Sequence, residues 1–345
     1  MQYLTYDDIQ LVPAFSGIKS RQSISLETKL SKRYHIHIPI VGSPMDTVCE
    51  SEMAFKLYEL GGVGCIHRFN SVPEQIGQIL DLIKRINDCN KVIWDGSPKT
   101  KIPIMAAIGV QEEDKDRAVR ITKSGANVLL IDVAHGDHQN VIDMVKWCKE
   151  NLPSHIDIIA GNIATAEAAM RLQEAGADGL RVGIGGGSLC TTRIKTGFGV
   201  PNVTCLEEIS RVANVPIMAD GGIRSSGDIA KALAVGADNV MLGSLLAGTL
   251  ESPGQMIEKG NALYKRYRGS ASLETKTTHG QAQRNVEGES TIIPFKGGVK
   301  YIVKGLTDGI RSALSYAGAK DITHYYPKYV QVTNSGINEA KPHLL

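Results

Sequence analysis

Ala175-Gly176-Ala177-Asp178-Gly179-Leu180-Arg181-Val182-Gly183 reads as the end of a helix, a tight turn and a strand that runs into a loop. Gly176 stands where a helix ends in a left-handed residue, and the apolar run begins three residues after it. The same pattern returns in Val235-Gly236-Ala237-Asp238-Asn239-Val240-Met241-Leu242-Gly243, and Ser124-Gly125-Ala126 closes a third helix in this way. Working outward from these units, six further apolar runs complete the series: 38–43, 62–67, 102–108, 128–133, 156–160 and 216–220. That makes eight candidate strands. Helical periodicity fills the intervals, at about 50–60, 72–87, 112–124, 138–150, 165–175, 205–213, 226–235 and 251–265.

Strands that are apolar throughout, each followed by an amphipathic helix, are what a closed parallel barrel requires, because helices cover the outer face and packed side chains fill the inside. A doubly wound sheet would need a glycine fingerprint after its first strand, and Ser43-Pro44-Met45-Asp46 is not one. The expected architecture is therefore an α/β (β/α)8 TIM barrel forming a single domain over residues 1–345. Residues 1–37 are a turn-rich lead-in that covers the barrel floor or lies against its side. Residues 267–300 are a polar, helix-poor stretch after strand eight, suited to a mobile lid, with Lys276-Thr277-Thr278-His279-Gly280-Gln281-Ala282-Gln283 at its centre. Residues 301–345 form a C-terminal helix and tail, and Ile302–Ala317 counts as a possible ninth helix.

Composition narrows the function classes. Thirty-eight basic and 36 acidic residues are interspersed, giving a net charge of +2, so no basic stripe suggests nucleic acid. No window approaches a membrane span, and the first residues lack the layout of a signal peptide, which points to a cytoplasmic protein with no membrane partner. The six cysteines include no Cys-x-x-Cys pair. That argues against zinc and fits a reducing compartment.

Polar residues gather where strands end: Asp46, His67-Arg68, Asp132, His135, Asn162, Asp220-Gly221-Gly222 and Gly243-Ser244. In a barrel these share the rim that carries active sites. The richest cluster follows strand six: Gly183-Ile184-Gly185-Gly186-Gly187-Ser188-Leu189-Cys190-Thr191-Thr192-Arg193. Its glycines let the backbone approach a ligand, and nearby positive charge or exposed N–H groups favour the thiolate that a cysteine nucleophile needs. An inert cysteine in a flexible loop remains the plainer alternative. Asp220-Gly221-Gly222 and Gly243-Ser244, ending strands seven and eight, suit phosphate through backbone donors, with Ser188 adding a hydroxyl. Asp220 suits a ribose diol instead, as an acceptor of two hydroxyl hydrogens. The rim thus reads as a nucleotide site beside a thiol.

These residues carry a resemblance. Gly183–Arg193 resembles the catalytic cysteine loop of the IMP dehydrogenase/GMP reductase family. Tyr6-Asp7-Asp8-Ile9, Met45-Asp46-Thr47-Val48, Ala160-Gly161-Asn162, Lys195-Thr196-Gly197, Asp220-Gly221-Gly222-Ile223-Arg224 and Tyr316-Ala317-Gly318-Ala319 extend it over nearly the whole chain. The family fold is a (β/α)8 barrel. Asp132-Val133-Ala134, the short stretch between Gly269-Ser270-Ala271-Ser272 and Asn285-Val286-Glu287-Gly288, the lack of an Arg-Tyr pair there and the absence of CBS domains resemble a short-lid bacterial GMP reductase. Ser43–Val48 and Tyr267-Arg268-Gly269 look more like the dehydrogenase, and Gly186 stands where both branches usually have proline.

The resemblance implies NADPH-dependent conversion of GMP to IMP and ammonia, an oxidoreductase reaction of purine salvage, through a cysteine thioimidate at purine C2. Cys190, Thr192 and Glu287 would be catalytic, Glu287 reaching its place only when the lid closes. Ser188, Asp220, Gly221, Gly222, Gly243, Ser244, Tyr267, Gly269 and Ser270 would bind the substrate, and Asp132, Val133, Ala134 and Asn162 the cofactor. A potassium ion would take carbonyls of Gly185, Gly187 and Cys190, and the protein would be a homotetramer. The alternatives are an IMP dehydrogenase without CBS domains, oxidising IMP to XMP with NAD, and a barrel that binds purine nucleotides without turnover. A different phosphate-binding barrel, an isomerase or synthase, would have no need of Cys190.

Overall fold

The computed structural model describes residues 2–89, 101–270, 272–274, 287–333 and 336. Eight parallel strands close into a barrel: β1 (Ile40–Gly42), β2 (Val63–Ile66), β3 (Met105–Ile108), β4 (Val128–Asp132), β5 (Asp157–Ile163), β6 (Gly179–Val182), β7 (Ile217–Asp220) and β8 (Asn239–Leu242). Each pairs with its neighbours in sequence, and β8 returns to β1 through Val240–Ile40 and Leu242–Gly42. Every residue of β3 through β6 is buried, as strands enclosed on both faces must be.

Helices α1 (Ser51–Glu59), α2 (Val72–Asp88), α3 (Glu112–Lys123), α4 (Gln139–Asn151), α5 (Ala166–Glu174), α6 (Asn202–Ser210) and α7 (Ser226–Ala234) follow the first seven strands. The repeated glycines have the expected role: Gly125, Gly176 and Gly236 take φ of +111°, +104° and +108° just past α3, α5 and α7. The residue two places on then ties the next strand to the last one. Asp178 Oδ2 accepts from Ile158 N at 2.9 Å, Asp238 Oδ2 from Ile217 N at 2.8 Å, and Asn127 Oδ1 from Ile104 N at 2.8 Å. Each carboxylate or amide satisfies an N–H at the buried foot of a strand.

Two expectations fail after β8. Residues 251–265 are not a helix: Met256–Lys259 and Ala262–Arg268 form an antiparallel hairpin, joined by Ser290–Pro294 into a three-stranded sheet. Gly260, at φ +62°, makes the turn, and Lys265 and Tyr267 are buried on either side of exposed Arg266, a period of two. The helix that completes the barrel is α8 (Val299–Ala317), packed on α7, so the supposed ninth helix is the eighth. Glu251 Oε2 accepts from Val299 N at 2.8 Å and satisfies one of its first-turn donors. After β6 the expected helix at 205–213 starts earlier, at Asn202, and a short helix Thr192–Thr196 precedes it.

The lead-in, residues 1–37, makes two strand pairings outside the barrel. The hairpin Thr28–Lys29/His35–Ile36 closes the barrel floor, where Ser31 Oγ and Arg33 Nε each lie 2.6 Å from oxygens of the fully buried Asp157. Ile9–Leu11 lies against the side, paired antiparallel with Tyr329–Gln331. Within the stretch 267–300 expected to be a lid, Ser290–Pro294 is the strand paired with Ala262–Arg268, and residues 276–283 lie outside the described residues. Among the described residues, no helix is long and apolar enough to cross a membrane.

Candidate active site

The carboxyl ends of the strands open into a cavity of about 490 Å³. Its lining includes all the residues expected to bind substrate or cofactor and all three expected to be catalytic. His135, by contrast, is exposed and lies outside the lining. Asp46 is also outside it, held by the Arg268 guanidinium with both Nε–O distances at 3.1 Å.

At one wall three side chains form a hydrogen-bonded chain. The Cys190 thiol donates to Thr192 Oγ1 at 3.1 Å, and the Thr192 hydroxyl donates to Glu287 Oε2 at 2.7 Å. The backbone sets this arrangement. Thr191 N donates to Glu287 O and Glu289 N to Leu189 O, both at 3.0 Å, and Cys190 faces Gly288 in an antiparallel bridge. Glu287, expected to meet this group on lid closure, is bonded to Thr192 in this structure. Strand-like pairing places it there.

The residues expected to cradle a phosphate line the same cavity. Gly221 and Gly222 take φ of +88° and +76°, a run of two left-handed residues that glycine alone adopts readily. A Cβ on Gly221 would lie 2.9 Å from the Gly186 backbone, so the cysteine loop and this loop touch. Ser188 Oγ and Tyr267 Oη are 3.1 Å apart, and the Tyr267 ring is buried. Burial pushes the Tyr267 phenol up, with the Ser188 hydrogen bond acting the other way. Gly243 lies beside the same hydroxyl. Of the carbonyls expected to hold potassium, that of Gly187 already accepts from Cys190 N at 3.1 Å and can offer its second lone pair.

Lining the same cavity is a residue that sequence reasoning missed. Arg181, buried in β6, reaches Asp132 Oδ1 at the end of β4 and Asp220 Oδ2 at the end of β7, the latter at 3.0 Å. Burial alone would lower the pKa of the guanidinium; Asp220 and Asp132 outweigh it and hold the pKa above its ordinary value. Asn162 Nδ2 donates to Asp220 Oδ2 at 2.7 Å and to Gly183 O at 2.8 Å. Among the described residues the hydrogen bonds to Asp220 fall on Oδ2, and both amide protons of Asn162 are engaged. Arg68, from the loop after β2, donates twice to the Asp132 carbonyl, at 3.2 and 3.0 Å, and lines the cavity beside Phe69. A charge inside an otherwise apolar strand, Gly179-Leu180-Arg181-Val182, was the available signal.

The profile described as the IMP dehydrogenase/GMP reductase domain matches residues 3–343. The chain belongs to the IMP dehydrogenase/GMP reductase family. Its relatives carry both names. The chain is 39% identical to an inosine-5′-monophosphate dehydrogenase of Cryptosporidium parvum, over 99% of this chain and 94% of that one. It is 37% identical to a GMP reductase of Streptococcus agalactiae, over 96% and 95%, and 33% identical to a GMP reductase of Leishmania major, over 99% and 96%. Among solved structures, a GMP reductase of Trypanosoma brucei in complex with guanosine 5′-monophosphate superposes with a TM-score of 0.92 at 30% identity, covering 100% of this chain and 98% of that one. The fold and the oxidoreductase class of the family follow; the branch rests on the site.

Proposed function

We propose that this protein is a GMP reductase, converting GMP to IMP and ammonia with NADPH as the hydride source. The observation that carries the reading is the hydrogen-bonded chain Cys190–Thr192–Glu287, formed on the same cavity as two glycine loops fit for a phosphate. Asp220 is the acceptor for the ribose hydroxyls. The rim near Asp132, Val133 and Ala134, with Arg68 and Phe69 beside them, is lined by groups that fit an aromatic ring and its ribose. When bound there, a nicotinamide supplies the hydride.

The chain's own groups handle the protons. The thiol proton passes through the Thr192 hydroxyl to Glu287, and the thiolate bonds to purine C2. Glu287 returns that proton, by the same hydroxyl, to the 2-amino group, which departs as ammonia and leaves Cys190 joined to C2 as a thioimidate. Once C2 has gained hydride, the C–S bond breaks with its electron pair on sulfur. IMP is released and the thiolate regains a proton from solvent. The Ser188–Tyr267 contact and the Gly221–Gly222 loop hold the phosphate and ring still through both steps. The carbonyls of Gly185, Gly187 and Cys190 are oxygen donors fit for potassium, and replacing potassium with lithium should depress turnover.

The test is stoichiometry. GMP and NADPH should yield one IMP and one ammonium for each NADPH consumed. A dehydrogenase is the second reading, favoured by the Cryptosporidium relative. Formation of XMP from IMP and NAD, with no ammonia from GMP, would establish that reading and overturn ours.

A further inference from the structure

Asn202 lines no part of the cavity, yet it packs against both loops that do. It is the first residue of α6 and is 5% exposed. Its Nδ2 donates to the Gly221 carbonyl at 2.6 Å and reaches that of Asp220 at 3.5 Å. The carboxamide is flanked by three glycines. A Cβ on Gly186 would stand 3.0 Å from Nδ2, one on Gly222 3.3 Å from Nδ2, and one on Gly183 3.6 Å from Oδ1. Two of these belong to the cysteine loop and one to the phosphate cradle.

Two successive left-handed glycines do not by themselves fix the orientation of the peptide between them. A hydrogen bond to the Gly221 carbonyl does. In a trans peptide the C=O and N–H point in opposite directions, so drawing that carbonyl toward α6 turns the Gly222 N–H away from α6. The lead-in backs the same spot: the buried Tyr6 ring would lie 3.5 Å from a Cβ on Gly222, with its hydroxyl beside Asn202. Lys231 Nζ holds the Tyr6 carbonyl at 2.8 Å.

We propose that Asn202 is a positioning residue for phosphate recognition, locking the Gly221–Gly222 peptide with its N–H toward the ligand while packing against the Cys190 loop. This rests on the purine-nucleotide reading above and adds to it the group that orients the donor. The role is specific to the phosphate, which separates it from a general packing role.

The experiment measures GMP and guanosine affinity by calorimetry in the wild-type protein and in Asn202→Leu, which keeps the branching and heavy-atom count and removes the donor. Loss of one hydrogen bond to a charged ligand should weaken GMP about tenfold or more and leave guanosine within about twofold. Equal weakening of both ligands, or unchanged GMP affinity, overturns the proposal. Should Asn202→Leu fail to fold, Asn202→Ala replaces it, removing the donor to the Gly221 carbonyl without adding a charge near the phosphate, with the same expected result. If the wild-type protein binds neither GMP nor guanosine, the functional reading itself is wrong, and the role of Asn202 goes with it.

Discussion

Thr192→Val removes one oxygen from the site and little else. That oxygen stands 3.1 Å from Cys190 Sγ and 2.7 Å from Glu287 Oε2, and without it the thiol and the carboxyl have no bonded path. The backbone pairing of 189–191 with 287–289 does not involve the hydroxyl, so the segment should stay docked. Positioned proton transfer contributes about 10²–10⁴ in rate, or about 3–5 kcal/mol of barrier. We expect kcat to fall about 10²–10³-fold, with GMP affinity kept within about threefold. Glu287→Gln should cost a similar factor. Because both residues act through one relay, the double variant should be no more than about threefold slower than the slower single variant. The assay is single-turnover ammonia release at saturating GMP and NADPH, with calorimetry for binding. Losses that multiply in the double variant, or a drop in GMP affinity that matches the drop in rate, would refute the relay.

Two other expectations concern the scaffold. Arg181→Met leaves the Asp132 and Asp220 carboxylates without their shared partner and should destabilise the fold by about 3–5 kcal/mol in urea unfolding; a loss under about 1 kcal/mol would show that the pair needs no bridge. Burial raises the pKa of the Asp238 carboxyl, the Ile217 N–H bond opposing it, so its ionised form disfavours the fold at neutral pH. The folded state then binds the extra proton as pH falls through the raised pKa, and wild-type stability gains on that side until the unfolded value is reached. Asp238→Asn, which can still accept from Ile217, should melt higher than wild type at pH 7. The gap should close in the ordinary carboxylate range; a gap that widens on acidification would reverse the sign.

The barrel was legible because its strands are buried on both faces and read as unbroken apolar runs, and because Gly125, Gly176 and Gly236 mark where helices stop. Legibility ended at β8. Residues 251–265 carry enough apolar spacing to pass for a helix, and only the alternation at Lys265 and Tyr267 and the turn at Gly260 betray the hairpin. The cysteine loop stood out for its glycines. Arg181 did not, because one charge in an apolar strand gains its meaning from two acids on other strands. Asn202 was silent for a similar reason: its partner is a backbone carbonyl that no side-chain pattern reveals. The docking of Glu287 follows from pairing between segments far apart in the chain, and pairing of that kind leaves no local trace.

The central claim is that Cys190 bonds to the purine during turnover. Acid-quenching the enzyme in the steady state with GMP and NADPH, followed by peptide mapping by mass spectrometry, should find a purine ribonucleotide joined to Cys190 and absent in Cys190→Ala. Full turnover by Cys190→Ala, or an adduct on any other residue, would contradict it.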